Sequence, residues 1–125
     1  MNSSKPIRLI NHDGYVEVEM SGFLEVGSES YFLELTSLVQ LNEKPTGLLY
    51  SMSEVQGYAR DVAIAHAQRF RELLPSLTGI AVVSTTGVVR IGITFVAMLS
   101  GAKMKGFDRR EEAVEWLHSL GSASQ

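Results

Sequence analysis

Residues 79–107, GIAVVSTTGVVRIGITFVAMLSGAKMKGF, contain the strongest indication of the fold class. The run GIAVVS at 79–84 is short and continuously apolar, as expected for a strand that is buried on both faces of a parallel sheet. STTG at 84–87 is typical of a loop that leads into a helix, and AKMKGF at 102–107 predicts a further strand. A strand, a helix and a second strand in this order predict two parallel strands joined by a right-handed crossover.

The N-terminal part of the chain predicts an antiparallel hairpin at one edge of that sheet. The turn signal HDG at 12–14 lies between two strand-like segments, Arg8–His12 and Tyr15–Ser21. In the second segment, apolar residues alternate with Glu17 and Glu19. This alternation predicts a strand with one buried face and one face in water.

Three other segments have apolar residues at helical spacing, next to residues that typically begin or end helices. They are 27–41, which Ser28 or Ser30 can cap; 59–74, which Pro75 ends; and 108–121, which Asp108 can cap and Gly121 can end. Between the first two, LLYSM at 48–52 predicts a short strand and SEVQGY at 53–58 a loop. The element order is therefore β-β-α-β-α-β-α-β-α.

This order predicts an α/β fold with a mixed, mostly parallel sheet of four to five strands and about four helices. The hairpin adds the antiparallel edge. No internal repeat or long linker divides the sequence. We therefore expect a single domain over residues 1–125, with its core at about 8–120.

The composition excludes several classes of protein. Of the 125 residues, 45% are hydrophobic and 20% charged, so the chain is expected to fold. The net charge of −3, with both signs interleaved, offers no basic patch to a nucleic acid. The absence of cysteine rules out disulfides and cysteine-based metal sites. Without an apolar run of signal-peptide length at the N-terminus, a cytoplasmic location is expected, and Arg90 argues against a membrane span.

The sequence contains no recognisable catalytic constellation, metal site or cofactor motif. His12, His66 and His118 are far apart, and none has metal-ligand spacing with another ligand. We therefore predict no enzyme, no metal and no cofactor. The alternative is acid–base chemistry by Tyr58, Arg60 and His66, provided that the fold brings them together.

One rim of the sheet has the potential to bind a partner or a ligand. STTG at 84–87 lies between a central strand and a helix N-terminus, where free N–H groups accumulate. SMSEVQGYARD at 51–61 emerges at the same edge, where open α/β sheets bind ligands. The rim residues predicted to bind are Ser51, Ser53, Gln56, Tyr58, Arg60, Thr85 and Thr86.

The helix at 88–100 is apolar on two sides, although a helix that covers a sheet needs only one apolar stripe. One side consists of Val88, Ile91, Phe95 and Met98. The second side consists of Val89, Ile93 and Val96. We predict either that the helix is fully buried or that this second side binds a second copy of the chain or an apolar ligand.

The closing part of the chain carries the most specific pattern: IAVVS at 80–84, FVAMLSGAKMKGF at 95–107 and DRREEAVEWL at 108–117. Together with the element order, it resembles the STAS-like superfamily, and more closely the stand-alone bacterial branch called SpoIIAA-like. That branch typically ends in a strand with lysine or arginine, a phenylalanine and an E-E-A-x-x-W-L helix. The matching residues are Lys103, Lys105, Phe107, Glu111, Glu112, Ala113, Trp116 and Leu117.

The resemblance implies a non-enzymatic interaction domain of bacterial signalling, similar to anti-sigma factor antagonists. Phosphoswitch members of the superfamily have Asp-Ser-Ser-Gly before the helix that follows the third strand, and phosphorylation of a serine there ejects the partner. This chain has Tyr58, Ala59 and Arg60 at that place, while Ser51 and Ser53 lie several residues too early. We therefore carry over no phosphorylation site.

Two functions remain open from the sequence. The first is a regulatory domain that docks a protein partner, with self-association into a homodimer as a compatible feature. The second is a module for a small apolar molecule or lipid, with a pocket lined by Val89, Phe95, Met98 and the second helix. The second function requires a cavity of a few hundred Å³.

Overall fold

A computed structural model describes residues 7–25 and 27–123. The strands are β1 (Ile7–His12), β2 (Tyr15–Leu24), β3 (Thr46–Tyr58), β4 (Leu77–Val83) and β5 (Met104–Phe107). The helices are α1 (Phe32–Gln40), α2 (Arg60–Leu73), α3 (Gly87–Ser100) and α4 (Arg110–Ala123). Short 3₁₀ segments at Ser28–Tyr31 and Leu74–Ser76 precede α1 and follow α2. The predicted element order is confirmed.

The described strands form one sheet in the order β1-β2-β3-β4-β5. β1 pairs antiparallel with β2, from Ile7 opposite Met20 to His12 opposite Tyr15, and all other pairs are parallel. Gly14 closes the hairpin with a φ of 90°, a conformation that favours glycine. The predicted mixed, mostly parallel sheet with an antiparallel N-terminal edge is therefore confirmed.

The two faces of the sheet carry separate cores. Alternate residues of the strands, such as Val18, Leu48 and Ile80, pack with α1, α2 and α3 on the first face. The residues between them, such as Leu49 and Ala81, pack with α4 on the second face. This arrangement explains why the central strand β4 reads as a continuous apolar run: both of its faces are covered.

Glycines let α4 approach the second face closely. A Cβ atom at Gly47 would lie 2.8 Å from a methyl carbon of Leu117, and one at Gly79 would lie 2.5 Å from a methyl carbon of Leu120. Both distances are too short for a side chain. α4 therefore crosses the sheet where the strands have no side chain to lift it away.

The predicted loop at 53–58 is wrong, because β3 continues as a strand to Tyr58. β2 also continues, and its residues Ser21 and Leu24 pair with Glu54 and Tyr58. The pairing contains two register shifts, which the sequence does not signal. The main-chain groups of residues 53–58 thus pair with β2, although the composition of this segment is typical of a loop.

Some predicted helix ends also differ. Neither Ser28 nor Ser30 caps a helix with its side chain; the Ser28 hydroxyl instead donates to the carbonyl of Glu25. α4 does not end at Gly121 and runs on to Ala123. α2 does end where Pro75 predicts, since Pro75 lies in the 3₁₀ turn that follows it.

Candidate functional site: the exposed face of α3 and the adjoining rim

The apolar side of α3 that was expected to bind a partner or ligand is buried, and the other apolar side is exposed. Val89 and Val96 are buried in the first core, with Ile93 packed against it. A second copy of the chain cannot reach them in this position. The exposed side is the other one, where Ile91 is 74% and Met98 77% accessible. We call Val88, Ile91, Phe95 and Met98, all four exposed, the apolar ridge.

Gly92 explains which side of α3 faces the sheet. Gly92 is buried, and a Cβ atom there would lie 2.2 Å from the hydroxyl oxygen of Tyr58 and 2.9 Å from its ring. Only a residue without a side chain lets the end of β3 approach so closely. Val89, Gly92 and Val96 follow helical spacing, so they share the buried side. An isolated glycine within a helical pattern was the sequence signal for this close contact.

The apolar ridge has no competing charge of its own. Arg90 is the only charged residue of α3, and its guanidinium is held away from the ridge. Its Nε donates to the carbonyl of Ser84 at 2.8 Å, and its Nη2 forms an ion pair with Asp108. The ridge therefore extends over about 15 Å of helix as an uninterrupted row of apolar side chains.

The predicted rim residues divide between the two faces of the sheet. Tyr58 donates its hydroxyl to the carbonyl of Val88 at 3.2 Å, which fixes the end of β3 to the start of α3. Thr86 is the N-cap residue of α3, with exposed Thr85 before it. Arg60 is exposed at the start of α2. These four residues lie at the carboxyl ends of β3 and β4, next to the ridge.

Ser51, Ser53 and Gln56 do not join that group. Since residues 53–58 form a strand and not a loop, side chains there alternate between the faces. Ser51 donates to Glu17 on the second face, and Ser53 lines an open groove beside it with Glu19. Gln56 is exposed on β3. Of the seven predicted rim residues, four therefore lie together at this edge of the sheet and three lie elsewhere.

A small apolar cavity lies between α2, α3 and the first face of the sheet. Val89, Ile93 and Val96 line it, together with Tyr58 and His66. Its volume is about 70 Å³, the space of roughly two water molecules. This is well below the few hundred Å³ that the small-molecule alternative requires. Phe95 and Met98, expected in that pocket, lie on the exposed ridge instead.

His66 takes part in a buried hydrogen-bond chain. Its Nδ1 donates to the carbonyl of Val62 at 2.9 Å, and its Nε2 accepts from the hydroxyl of Tyr31 at 3.1 Å. The hydroxyls of Tyr31 and Tyr50 bond in turn. Burial lowers the pKa of His66 and raises the pKa values of Tyr31 and Tyr50, so all three are neutral near pH 7. Arg60 does not line this cavity, and the acid–base trio is not assembled.

The second face contains a buried carboxylate, although the alternation in β2 predicts that this group faces water. Glu17 is only 3% accessible. Arg110, the first residue of α4, donates to it from Nη2 at 2.7 Å and from Nε at 3.3 Å. Ser51 donates at 2.7 Å and His12 at 2.8 Å. The expectation failed because α4 covers this face, and the partners Glu17 and Arg110 are 93 residues apart.

This cluster fixes the ionisation of Glu17. Burial alone would raise the pKa of Glu17, but the hydrogen bonds from Arg110, Ser51 and His12 and the charge of Arg110 outweigh it. The pKa falls to about 2. Every donor is directed at the carboxylate, and Arg110 also donates to the hydroxyl of Tyr15 at 3.2 Å. The arrangement is suited to holding α4 on the sheet.

Neither a metal centre nor a membrane span emerges from the described residues. Within 7–25 and 27–123, no three His, Cys, Asp or Glu side chains lie close enough together to hold a metal ion. In the same part of the chain, no helix has the length and apolar character needed to cross a bilayer.

Comparison with known proteins places this fold. A sequence model described as SpoIIAA-like matches residues 15–118. Comparison with curated proteins gives no match. One similar solved structure is an uncharacterized protein from Shewanella loihica with a SpoIIAA-like fold, at 16% identity and a TM-score of 0.68, covering 94% of this chain and 98% of that one.

A second similar structure is an anti-sigma factor antagonist from Mycobacterium paratuberculosis. It is 17% identical, with a TM-score of 0.67, and the match covers 90% of this chain and 92% of that one. At such identities the likeness shows the fold alone. The predicted STAS-like fold of the SpoIIAA-like type is confirmed.

Proposed function

Because the chain belongs to the SpoIIAA-like family, we propose that residues 1–125 act as one cytoplasmic domain that docks a regulatory protein partner and catalyses no reaction. The observation that carries this proposal is the apolar ridge of α3. Ile91 and Met98, both more than 70% accessible, lie on one side of the same helix. Exposed apolar side chains in a contiguous row are typical of protein interaction sites.

The surroundings of the ridge support a protein partner. The core of a protein interface is apolar and poor in charge, and its rim is polar. The ridge resembles the core of such an interface, because it is apolar and the nearby charge of Arg90 is engaged with Ser84 and Asp108. Thr85, Thr86 and the exposed Arg60 supply polar groups at its N-terminal end. The proposed docking surface is therefore the ridge together with this end of the rim.

The proposed docking does not depend on a phosphoserine at the start of α2. The structure has Tyr58 at the end of β3 and Ala59 in extended conformation before Arg60. No hydroxyl of a serine is available in these three positions. Tyr58 is engaged with Val88 and packs against Gly92. We therefore propose that the partner is released by some other means than phosphorylation at this site.

A structural role for the two buried polar clusters supports the non-enzymatic part of the proposal. The carboxylate of Glu17 binds donors from Arg110, Ser51 and His12. The ring nitrogens of His66 are both engaged. In each cluster, the groups that could move a proton serve to join elements of the fold.

The proposal can be tested with a double variant of the ridge. Ile91→Asp with Met98→Asp places two charges on the docking surface, where both side chains already face water. Leu33→Asp with Leu41→Asp is the matched control, since both leucines are exposed on or next to α1. Tagged proteins are expressed in the source organism, and co-purifying chains are quantified by mass spectrometry.

The expected result is one stoichiometric partner that is retained by wild type and by the leucine control and lost from the ridge variant. Equal recovery from all three proteins, or no stoichiometric partner with any of them, would contradict the proposal. Sedimentation velocity on the purified wild type tells whether the occupant is a second copy. A dimer that dissociates in the ridge variant would replace the regulatory partner with self-association.

A further inference from the structure

An open groove runs along β1, at the edge of the sheet. Its floor consists of the strand from Ile7 to Ile10, its walls of the end of β2 and the 3₁₀ turn at Ser28–Tyr31, and its volume is about 800 Å³. Ile7, Leu9 and Tyr31 are only partly buried and pack against the first core. The groove thus has an apolar floor that remains in contact with water. We call it the β1 groove.

The main chain of β1 is available along this groove. Among the strands of residues 7–25 and 27–123, β1 is the first in the order of the sheet, and it pairs there with β2 alone. Every second residue of such an edge strand directs its N–H and C=O groups away from the sheet. An edge strand of this kind is a template for an added strand. β1 has six residues, enough for several ladder hydrogen bonds.

The opposite edge of the sheet differs in this respect. β5 has only four residues. Lys105 is exposed on it, and Lys103 lies just before it. Short length and lysine are the usual protection against unwanted strand addition. The charge on β1 is Arg8, whose Nε forms an ion pair with Glu19 at 3.1 Å, across the antiparallel pair and within its own sheet. β1 is therefore longer than β5 and carries no lysine.

The charges at the β1 groove favour a basic occupant. Glu25 and Glu34 line it and are exposed. Neither forms an ion pair with another side chain in residues 7–25 or 27–123. Arg8 is already paired with Glu19. Two unpaired carboxylates beside a free strand edge are complementary to an extended segment that carries lysine or arginine.

We propose that the β1 groove binds an extended peptide segment of a partner protein as an additional strand next to β1, and that this segment carries apolar and basic residues at every second position. Main-chain hydrogen bonds to β1 give the affinity, and alternate side chains give the specificity. Every second side chain of the added strand faces α1. Among these, the apolar ones lie against Ile7 and Leu9, and the basic ones lie near Glu25 and Glu34. This surface lies at the edge opposite to β5 and is separate from the α3 ridge, so it can be tested independently of the proposed function.

The test uses isotope-labelled full-length protein and NMR titration. The probe is a synthetic six-residue peptide, matching the six residues of β1, in which serine occupies every second position and lysine and valine share the positions between. We expect saturable shifts of backbone amides in residues 7–12 and 23–34. A peptide with glutamate in place of lysine should give no saturable shifts. A lysine–valine peptide methylated on alternate main-chain nitrogens should also fail, since it cannot complete the ladder.

Charge variants separate this site from general attraction to an acidic protein. Glu25→Gln with Glu34→Gln should weaken binding roughly fivefold. The control, Glu111→Gln with Glu115→Gln, makes the same charge change at two exposed positions of α4 and should leave the affinity within about twofold. Equal weakening by both pairs, unimpaired binding of the methylated peptide, or shifts centred on the α3 ridge would overturn the proposal.

Discussion

Replacing Glu17 with glutamine removes the charge that holds the first turn of α4 on the sheet. The carboxylate is buried and accepts hydrogen bonds from Arg110, Ser51 and His12. Glutamine has nearly the same shape, but its NH₂ group must face at least one of these donors. The variant therefore tests the electrostatic contribution with little change in packing.

The magnitude follows from the pKa of Glu17, which is lowered from 4.5 to about 2 in the folded protein. A difference of this size corresponds to about 3 kcal/mol of folding free energy when the group is ionised in both states. Because the folded pKa lies below the unfolded one, the contribution is complete above about pH 4.5. It is lost as the pH falls through this window towards 2.

The assay is urea unfolding of wild type and Glu17→Gln between pH 3 and pH 6. We expect the variant to be less stable by about 3 kcal/mol at pH 6, and the difference to fall to roughly half of that at pH 3. Glu19→Gln is the matched control on the same strand. Its side chain is 42% accessible and, within the described part of the chain, forms an ion pair only with Arg8, so we expect a loss below about 1 kcal/mol. A Glu17→Gln effect as small as that of the control, or one that does not change with pH, would show that the charge of Glu17 does not stabilise the fold.

Three further outcomes follow from the packing. Val89→Asp should unfold the protein, since it buries a charge, whereas Ile91→Asp should change the unfolding free energy by less than about 1 kcal/mol. Circular dichroism during thermal unfolding distinguishes the two variants, and equal losses of stability would reverse the assignment of the buried and exposed sides of α3. Gly79→Ala should lower the free energy of unfolding by about 1–3 kcal/mol, since the added methyl group meets Leu120. Urea unfolding measures this loss, and an unchanged midpoint would mean that α4 can shift freely. Because burial lowers the pKa of His66, its ring should titrate below pH 6.5 by NMR, and the stability of the fold should decline as the pH falls through that value. A titration midpoint above 6.5 would exclude the buried neutral form.

Much of the fold could be predicted, because its strongest signals are local. The apolar run of β4 and the alternation in β2 are readable within a few residues, and the turn at 12–14 marks the hairpin. The extension of β3 to Tyr58 was not readable, since it depends on β2 as a partner and on two register shifts. The composition of SEVQGY does not indicate that this segment pairs with a strand more than thirty residues earlier in the chain.

The candidate site was only partly readable for a similar reason. The sequence indicated that α3 is apolar on two sides, but the side that faces the sheet depends on Gly92 and Tyr58, which meet only in the folded protein. The Glu17–Arg110 cluster joins residues from the two ends of the chain. Alternation correctly placed Glu17 on the face opposite to Val16 and Val18, but it could not show that a helix covers that face.

Site-specific photo-crosslinking in living cells shows whether a different protein binds to the apolar ridge of α3. A photoreactive phenylalanine analogue is placed at Ile91 on the ridge and, in a separate protein, at Leu33 on α1, which is somewhat more exposed to solvent than Ile91. We expect one adduct with a second, different protein from position 91 and none from position 33. No adduct from position 91, the same adducts from both positions, or an adduct made only of two copies of this chain would contradict it.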